Sequence, residues 1–338
     1  MRILIFDHAC MVRPPLSKIK SSERFCSELM LHALVADAAL LSMANIVILR
    51  QASQPACEFP ESTVVITLDE KNATDAIEKS IRDADAVWPL LPETNGLLER
   101  TSKQVLSHCK LLIGSSPHAV HLTASKFCTT QLLRSAGIAA TPTYYFDSNP
   151  FDGYGLDAWV VKPDDGAGCS TTNIISHLEE AQALAATPFD NNYVLQPYIP
   201  GRACSLTLFC TEDDIFLLGC NDHQVAVSNG QFHYLGSTIN SIVDENGELA
   251  RLASRVVSVF PGLWGYVGID FIMTRSGPVV LEVNPRMTLA HAGLRASIGV
   301  NPVELLINTL LGIPCEQPNL RQSRKVSVDI NTAKQYIL

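Results

Sequence analysis

Along the first third of the chain, short apolar runs, RILIF, NIVILR, TVVITL, AVWPL and LLIG, alternate with helical patterns such as ERFCSELMLHALVADAALLS. Strand-helix alternation predicts a parallel α/β sheet over residues 1 to about 115. The first strand runs into DHACMVRPP with no Gly-x-Gly-x-x-Gly, so the lobe is expected to be Rossmann-like in shape without a dinucleotide site. From about residue 117 the texture changes. A helix is predicted near 123–136, ending at Gly137, followed by closely spaced strands at YYF, AWVVKP, TNIIS, YVLQPYI, ACSLTLFCT and DIFLLGC. Such spacing favours antiparallel pairing and an α+β region. A further amphipathic helix is expected at ENGELARLASRVVSVF, a strand pair at 266–284 and helices near 291–311, with a final strand or a tail after Pro314.

The strand pair carries the first chemical signal. In GYVGIDFIMTRSGPVVLEVNP, a three-residue RSG loop suits a type I turn followed by a left-handed residue. Pairing Thr274 with Pro278 then sets Asp270 opposite Glu282 and Gly268 opposite Asn284. Alternation sends Ile269, Phe271, Met273, Val279, Leu281 and Val283 to a core face, and Asp270, Glu282 and Asn284 to the other. Two carboxylates directly opposite repel by roughly 0.2–1 kcal/mol. A cation between them reverses the sign, and an oxygen-only donor set suits Mg²⁺. A solvent-facing strand with incidental acids is the alternative.

Phosphate-binding parts accompany it. AWVVKPDDGAGCSTT is a strand ending at Lys162, followed by a turn with Gly166 and Gly168, which offers a point charge and close backbone approach to phosphate oxygens. It is not a P-loop, and it also reads as a plain hairpin end. In YVLQPYIPG the apolar course breaks at Gln196-Pro197, where freed backbone groups, with Tyr198 and Ile199, suit the edge and face of a flat heteroaromatic base. An edge strand ending at a turn explains the same letters. Strand ends at Asp7-His8 and Glu93-Thr94 lie where such a sheet places its ligand, and an acid there suits an ammonium group, helix capping and loop hydrogen bonding being the alternatives.

Composition narrows the class. The chain has 338 residues, 47% hydrophobic and 17% charged, enough for two or three lobes. Its apolar runs fall short of the ~20 residues a membrane span needs, and MRILIFDHAC turns acidic too soon for a signal peptide, so a soluble cytoplasmic protein is expected. A formal charge of −9 argues against a nucleic-acid surface. Ten cysteines are scattered without Cys-x-x-Cys or zinc spacing and read as reduced packing residues.

Taken in order, ASK near 126, VVKPDDGAG, VLQPYIPG, GIDF and LEVNPR resemble the ATP-grasp superfamily over about residues 115–312. The resemblance implies a Rossmann-like pre-ATP-grasp domain at 1–115, an ATP-grasp small subdomain at 116–193, a C-terminal subdomain at 194–314, and a strand or tail at 315–338. It also implies ATP with Mg²⁺ or Mn²⁺. Lys126 and Lys162 would contact phosphates, Gly166 and Gly168 would cover them, and Gln196, Pro197, Tyr198 and Ile199 would hold adenine. Asp270, Glu282 and Asn284 would bind the metal, and Arg286 would touch the transferring phosphoryl group, unless it only pairs with a nearby acid. LLPETNGLLE, IGSSPHAV and VNPRMTLAHAGL look like the branch that includes the tyramine–glutamate ligase of methanofuran biosynthesis. The expected function is therefore ligation of a small-molecule carboxylate to an amine through an acyl phosphate, in a protein that, like many such ligases, forms a homodimer. Bicarbonate phosphorylation of the carboxylase or carbamoyl-phosphate type, and a non-catalytic ATP-binding regulator, are the alternatives. Two departures stand out: Arg202-Ala203 where a ribose-binding glutamate is usual, and Gly268 where D-alanine ligase-like enzymes have arginine, leaving charge stabilisation to Arg286 or to His223 and Gln224.

Overall fold

A computed structural model describes residues 1–11, 21–41, 44–55, 57–69, 71–145, 158–168, 171–175, 180 and 193–330. The first sheet is parallel, in the order β3-β2-β1-β4-β5. It comprises β1 (Arg2–Asp7), β2 (Asn45–Gln51), β3 (Val64–Leu68), β4 (Ala86–Leu90) and β5 (Leu111–Leu112). Continuous apolar runs arise because both faces are covered. Ile3 and Ile5 enter one core with α2 (Ser21–Ala38), while Leu4 and Phe6 enter another with α3 (Ala73–Asp83) and α4 (Leu97–Ser107). The four-residue α1 (His8–Met11) follows β1 directly. Strand order reverses between β1 and β4, which opens a crevice at their carboxyl ends.

The second sheet is antiparallel in its named pairings, as expected for an α+β region. Its order is β14-β13-β10-β11-β12-β8-β7-β9-β6, built from β6 (Tyr144–Tyr145), β7 (Trp159–Pro163), β8 (Asn173–Ile175), β9 (Tyr193–Pro197), β10 (Arg202–Cys210), β11 (Ile215–Ser228), β12 (Gln231–Ile239), β13 (Gly265–Thr274) and β14 (Gly277–Asn284). The segment after Pro314 does contain a strand, β15 (Val326–Asp329), paired with β12; residues 331–338 lie outside the described set. Tyr266, Met287 and Phe209 share a core cluster with Ile3 and Trp88, so the two sheets are packed together.

Two expectations need correction, and one alternative reading falls away. The helix near 123–136 is two helices, α5 (Pro117–Ala124) and α6 (Lys126–Ser135). Ser125 between them is extended (φ −83, ψ 117), and its hydroxyl caps α6 by accepting from the Cys128 amide at 3.0 Å. Gly137, at φ +69, ends the second helix as expected. The strand ending at Gln196-Pro197 is not an edge: β9 pairs with β7 on one side and β6 on the other.

The hairpin register holds where it matters, with Asp270 opposite Glu282 and Gly268 opposite Asn284. Nearer the turn it slips by one: Thr274 pairs with Gly277, leaving a two-residue turn, and a bulge falls between Asp270 and Phe271. Leu281 is the extra residue, so Val280, fully buried, joins the core instead of Val279 and Leu281. Further α-helices among the described residues are α7 (Glu248–Val259), α8 (His291–Ile298) and α9 (Pro302–Leu310).

Candidate active site

Lys126 is the first residue of α6, 5% exposed. The capped break before it aims its side chain at the end of β14, where Nζ lies 3.3 Å from Glu282 Oε2. The same ammonium donates to the carbonyls of Gly166 at 2.6 Å and Asp164 at 3.3 Å. Asp164 returns the contact: its carbonyl accepts from the Lys126 amide at 3.0 Å, and Oδ1 from the Phe127 amide at 2.8 Å. The loop after β7 is thus fastened to the start of α6, with Gly168 at φ +64 letting it turn back. Cys169 and Ser170, next in the same loop, lie outside the described residues.

Lys162, at the end of β7, is 8% exposed. Burial pushes the Glu282 carboxyl up, but Lys126 and Lys162, helped by hydrogen bonds with Asp270 and Lys126, outweigh it and bring it down to about 2. Asp270 is bound on both oxygens: Oδ2 accepts from Asn284 Nδ2 at 3.3 Å, and Oδ1 faces His223 Nε2 at 3.4 Å. His223 is anchored by Ser237 at 2.7 Å through Nδ1. Two half-buried carboxylates face each other across one hairpin, and the Asn284 amide beside them, which turns its nitrogen to Asp270 and its oxygen to Arg286, would complete an oxygen donor set for a hard divalent cation by rotating its oxygen inward. The two lysines currently balance their charge.

Gln196, 3% exposed, donates through Nε2 to Thr143 Oγ1 at 2.9 Å. That fixes the amide and leaves its carbonyl oxygen as an acceptor. Tyr198, 40% exposed, uses its amide on the Ala158 carbonyl at 3.1 Å, while Pro197 and Ile199 are half-buried beside it. Thr143 gave no signal in the sequence, since one threonine in a loop is unremarkable until the fold sets it under Gln196.

Arg286 pairs with an acid, Glu93 of the loop after β4, through Nε and Oε2 at 3.0 Å. Glu93 therefore does not cap a helix by its side chain. Nη2 of Arg286 reaches Asn284 Oδ1 at 3.5 Å and Nη1 the Met287 carbonyl at 3.2 Å. His8 lies within electrostatic reach, its pKa lowered by burial, with Glu23 opposing and Arg286 adding to the shift. Asp7 turns inward instead, accepting from Cys10 Sγ at 3.4 Å and Ser27 Oγ at 3.3 Å. Of the other departures, Arg202 is committed to Asp222 at 2.6 Å. A Cβ on Gly268 would sit 2.7 Å from Thr288 Cγ2, so the Thr288 methyl crowds out an arginine there.

The nine described cysteines form no disulfide. Away from the cleft, Glu28, His32 and Cys57 come together, a grouping their sequence spacing hides; both Glu28 oxygens are engaged by Arg50, at 2.8 and 2.9 Å.

Comparison with known proteins bears on the family and the fold. Residues 123–290 match the ATP-grasp domain family, and residues 44–120 the pre ATP-grasp 3 domain family. The tyramine–L-glutamate ligase of Methanocaldococcus jannaschii is 23% identical over 249 residues, covering 72% of this chain and 69% of that protein. Its counterpart from Methanocaldococcus fervens is 22% identical, covering 74% and 75%. Among solved structures, an ATP-grasp superfamily protein from Archaeoglobus fulgidus superposes with a TM-score of 0.70 at 20% identity, over 94% of this chain and 90% of that one. The L-amino acid ligase of Bacillus licheniformis superposes at 0.64 and 16% identity, over 91% and 74%. These superpositions establish the fold.

Proposed function

For a chain that belongs to the ATP-grasp superfamily, with the pre-ATP-grasp domain ahead of it, we infer an ATP-dependent ligase that joins a carboxylate to an amine through an acyl phosphate, releasing ADP and phosphate. One observation carries the reading: Asp270 and Glu282 face each other on the hairpin while Lys126, Lys162 and Arg286 converge on the same spot from three other elements.

In this reading Asp270, Glu282 and Asn284 hold Mg²⁺, or Mn²⁺, which when bound supplies charge neutralisation to the phosphates. Lys126 and Lys162 take the β- and γ-phosphate oxygens, exchanging carboxylate contacts for phosphate ones. Backbone amides around Gly166 and Gly168 cover the phosphates, and this loop serves as the lid that excludes water from the acyl phosphate. The Gln196 carbonyl accepts from the exocyclic amine of adenine, whose face rests on Tyr198 and Ile199 beside Pro197. Arg286 steadies the oxygens of the transferring phosphoryl group with its remaining N–H donors. Domain limits at 115, 193 and 314 follow from the same assignment, with 315–338 as a closing strand and tail.

Glutamate as the carboxylate and tyramine as the amine are the pair the named relatives suggest. No helix among the described residues is long and apolar enough to cross a membrane, and we place the enzyme in the cytoplasm with its nucleotide, as a homodimer. The test is a phosphate-release screen of carboxylate and amine pairs, including glutamate with tyramine, against a Glu282→Ala control. Release requiring both substrates and abolished in the control is expected. Bicarbonate-dependent release without an amine would instead indicate carboxylase-type chemistry, and tight ATP binding without release a regulator.

A further inference from the structure

Resting on the ligase reading, the anchoring point of the amine can be sought beside Arg286. Three of its five N–H donors are fixed, by Glu93, the Met287 carbonyl and Asn284, leaving two for an anionic ligand. Neutral acceptors suffice to hold an arginine. A carboxylate in that position opposes the anion the arginine is there to receive, so its charge is better explained by a cation that arrives in the same place.

The carboxylate is not fully used by Arg286. Glu93 is 6% exposed; its Oε2 takes the guanidinium, while its Oε1 is buried without a hydrogen-bond partner. A buried oxygen left unpaired costs on the order of 1–3 kcal/mol, which a ligand N–H would remove. The fold also puts Glu93 where a ligand belongs, just past the carboxyl end of β4 and beside the reversal of strand order. The turn that presents it is bent for contact: Asn95 (φ 54) and Gly96 (φ 63) are both left-handed. Thr94 Oγ1 donates to the Asp165 carbonyl at 3.1 Å and the Asn95 amide to Asp165 Oδ2 at 2.7 Å. One short turn therefore touches the phosphate loop and Arg286 together.

We propose that Glu93 anchors the ammonium group of the amine substrate through Oε1 and takes one proton from it, beside the acyl phosphate held by Arg286. The freed nitrogen lone pair forms the C–N bond as the bond from the acyl carbon to the phosphate oxygen breaks. The second proton on nitrogen passes to the departing phosphate, and Glu93 releases its own to solvent with the products.

Hydroxylamine, a nucleophile that is uncharged near neutral pH, separates the two halves of the reaction. Wild type and Glu93→Gln are given ATP, Mg²⁺ and a panel of amino acids led by L-glutamate; hydroxamate formation reports the acyl phosphate, and amide formation with tyramine reports the complete reaction. Glutamine keeps an acceptor for Arg286 but loses the charge. Expected are hydroxamate within about threefold of wild type, an amide kcat/KM lower by about 100-fold with a raised KM for the amine, and partial recovery in Glu93→Asp. Hydroxamate and amide falling together would mean that Glu93 serves Arg286 alone, and unchanged amide synthesis would also overturn the proposal. A wild type that forms no hydroxamate with any carboxylate contradicts the ligase reading itself, and this inference with it.

Discussion

Glu282→Gln asks whether the two acids of the hairpin are a repelling pair or a compensated cluster. Glu282 Oε2 lies 3.3 Å from Lys126 Nζ, the two side chains being 20% and 7% exposed. Burial raises the Glu282 carboxyl, but Lys126 and Lys162 hold it at about 2, against an ordinary 4.5. At about 1.4 kcal/mol per unit, the folded protein favours the ionised form by about 3 kcal/mol. That figure is net of every neighbour, and Asp270 adds to the pull of the lysines through its hydrogen bond with Glu282 instead of opposing it. The lysines win, so the variant without ligand is expected to be less stable by about 2–3 kcal/mol at pH 7, since it leaves two buried ammonium groups undercompensated. Because the carboxyl is depressed on folding, its contribution is full above the unfolded value near 4.5 and is lost as pH falls toward 2. Urea unfolding of both proteins should show the gap at pH 7 shrinking to about half near pH 3. A variant as stable as wild type at pH 7, or a gap that ignores pH, would refute the reasoning.

Gly268→Ala places a Cβ 2.7 Å from Thr288 Cγ2 and should cost about 1–3 kcal/mol in thermal unfolding, most of it recovered by adding Thr288→Ser. His291 is buried with both ring nitrogens unpartnered, and burial lowers its pKa to about 3. The folded imidazole stays neutral while the unfolded one takes a proton below its ordinary value near 6.5, so stability is lost as pH drops from there, by up to about 1.4 kcal/mol per unit. His291→Leu should therefore gain about 1 kcal/mol at pH 7 and more at pH 5; equal gaps at the two pH values would contradict this.

Much of this architecture was readable from alternation alone. Five apolar runs in the first third became the parallel sheet because both of its faces are covered, and helix-strand alternation allows few other arrangements. Asp270, Glu282 and Asn284 were legible because a hairpin ties register to local spacing. The bulge at Leu281 was not, since an extra residue leaves no mark in a run of valines and leucine. β12 escaped for a similar reason: its glutamine, histidine, glycine and serine dilute the apolar signal, and its partners on both sides supply what propensity lacks. Glu93 and Arg286 stand far apart in sequence and meet only through packing of one sheet on the other. Neither periodicity nor motif spacing reports such a contact.

The central claim is that phosphoryl transfer to a carboxylate precedes amide formation, and oxygen labelling tests it most directly. Carboxylate substrate carrying ¹⁸O is incubated with the enzyme, ATP, Mg²⁺ and amine, and the released phosphate is analysed by mass spectrometry. The account predicts ADP as the nucleotide product and one ¹⁸O in each phosphate formed with amide. Unlabelled phosphate, or AMP with pyrophosphate, would contradict it.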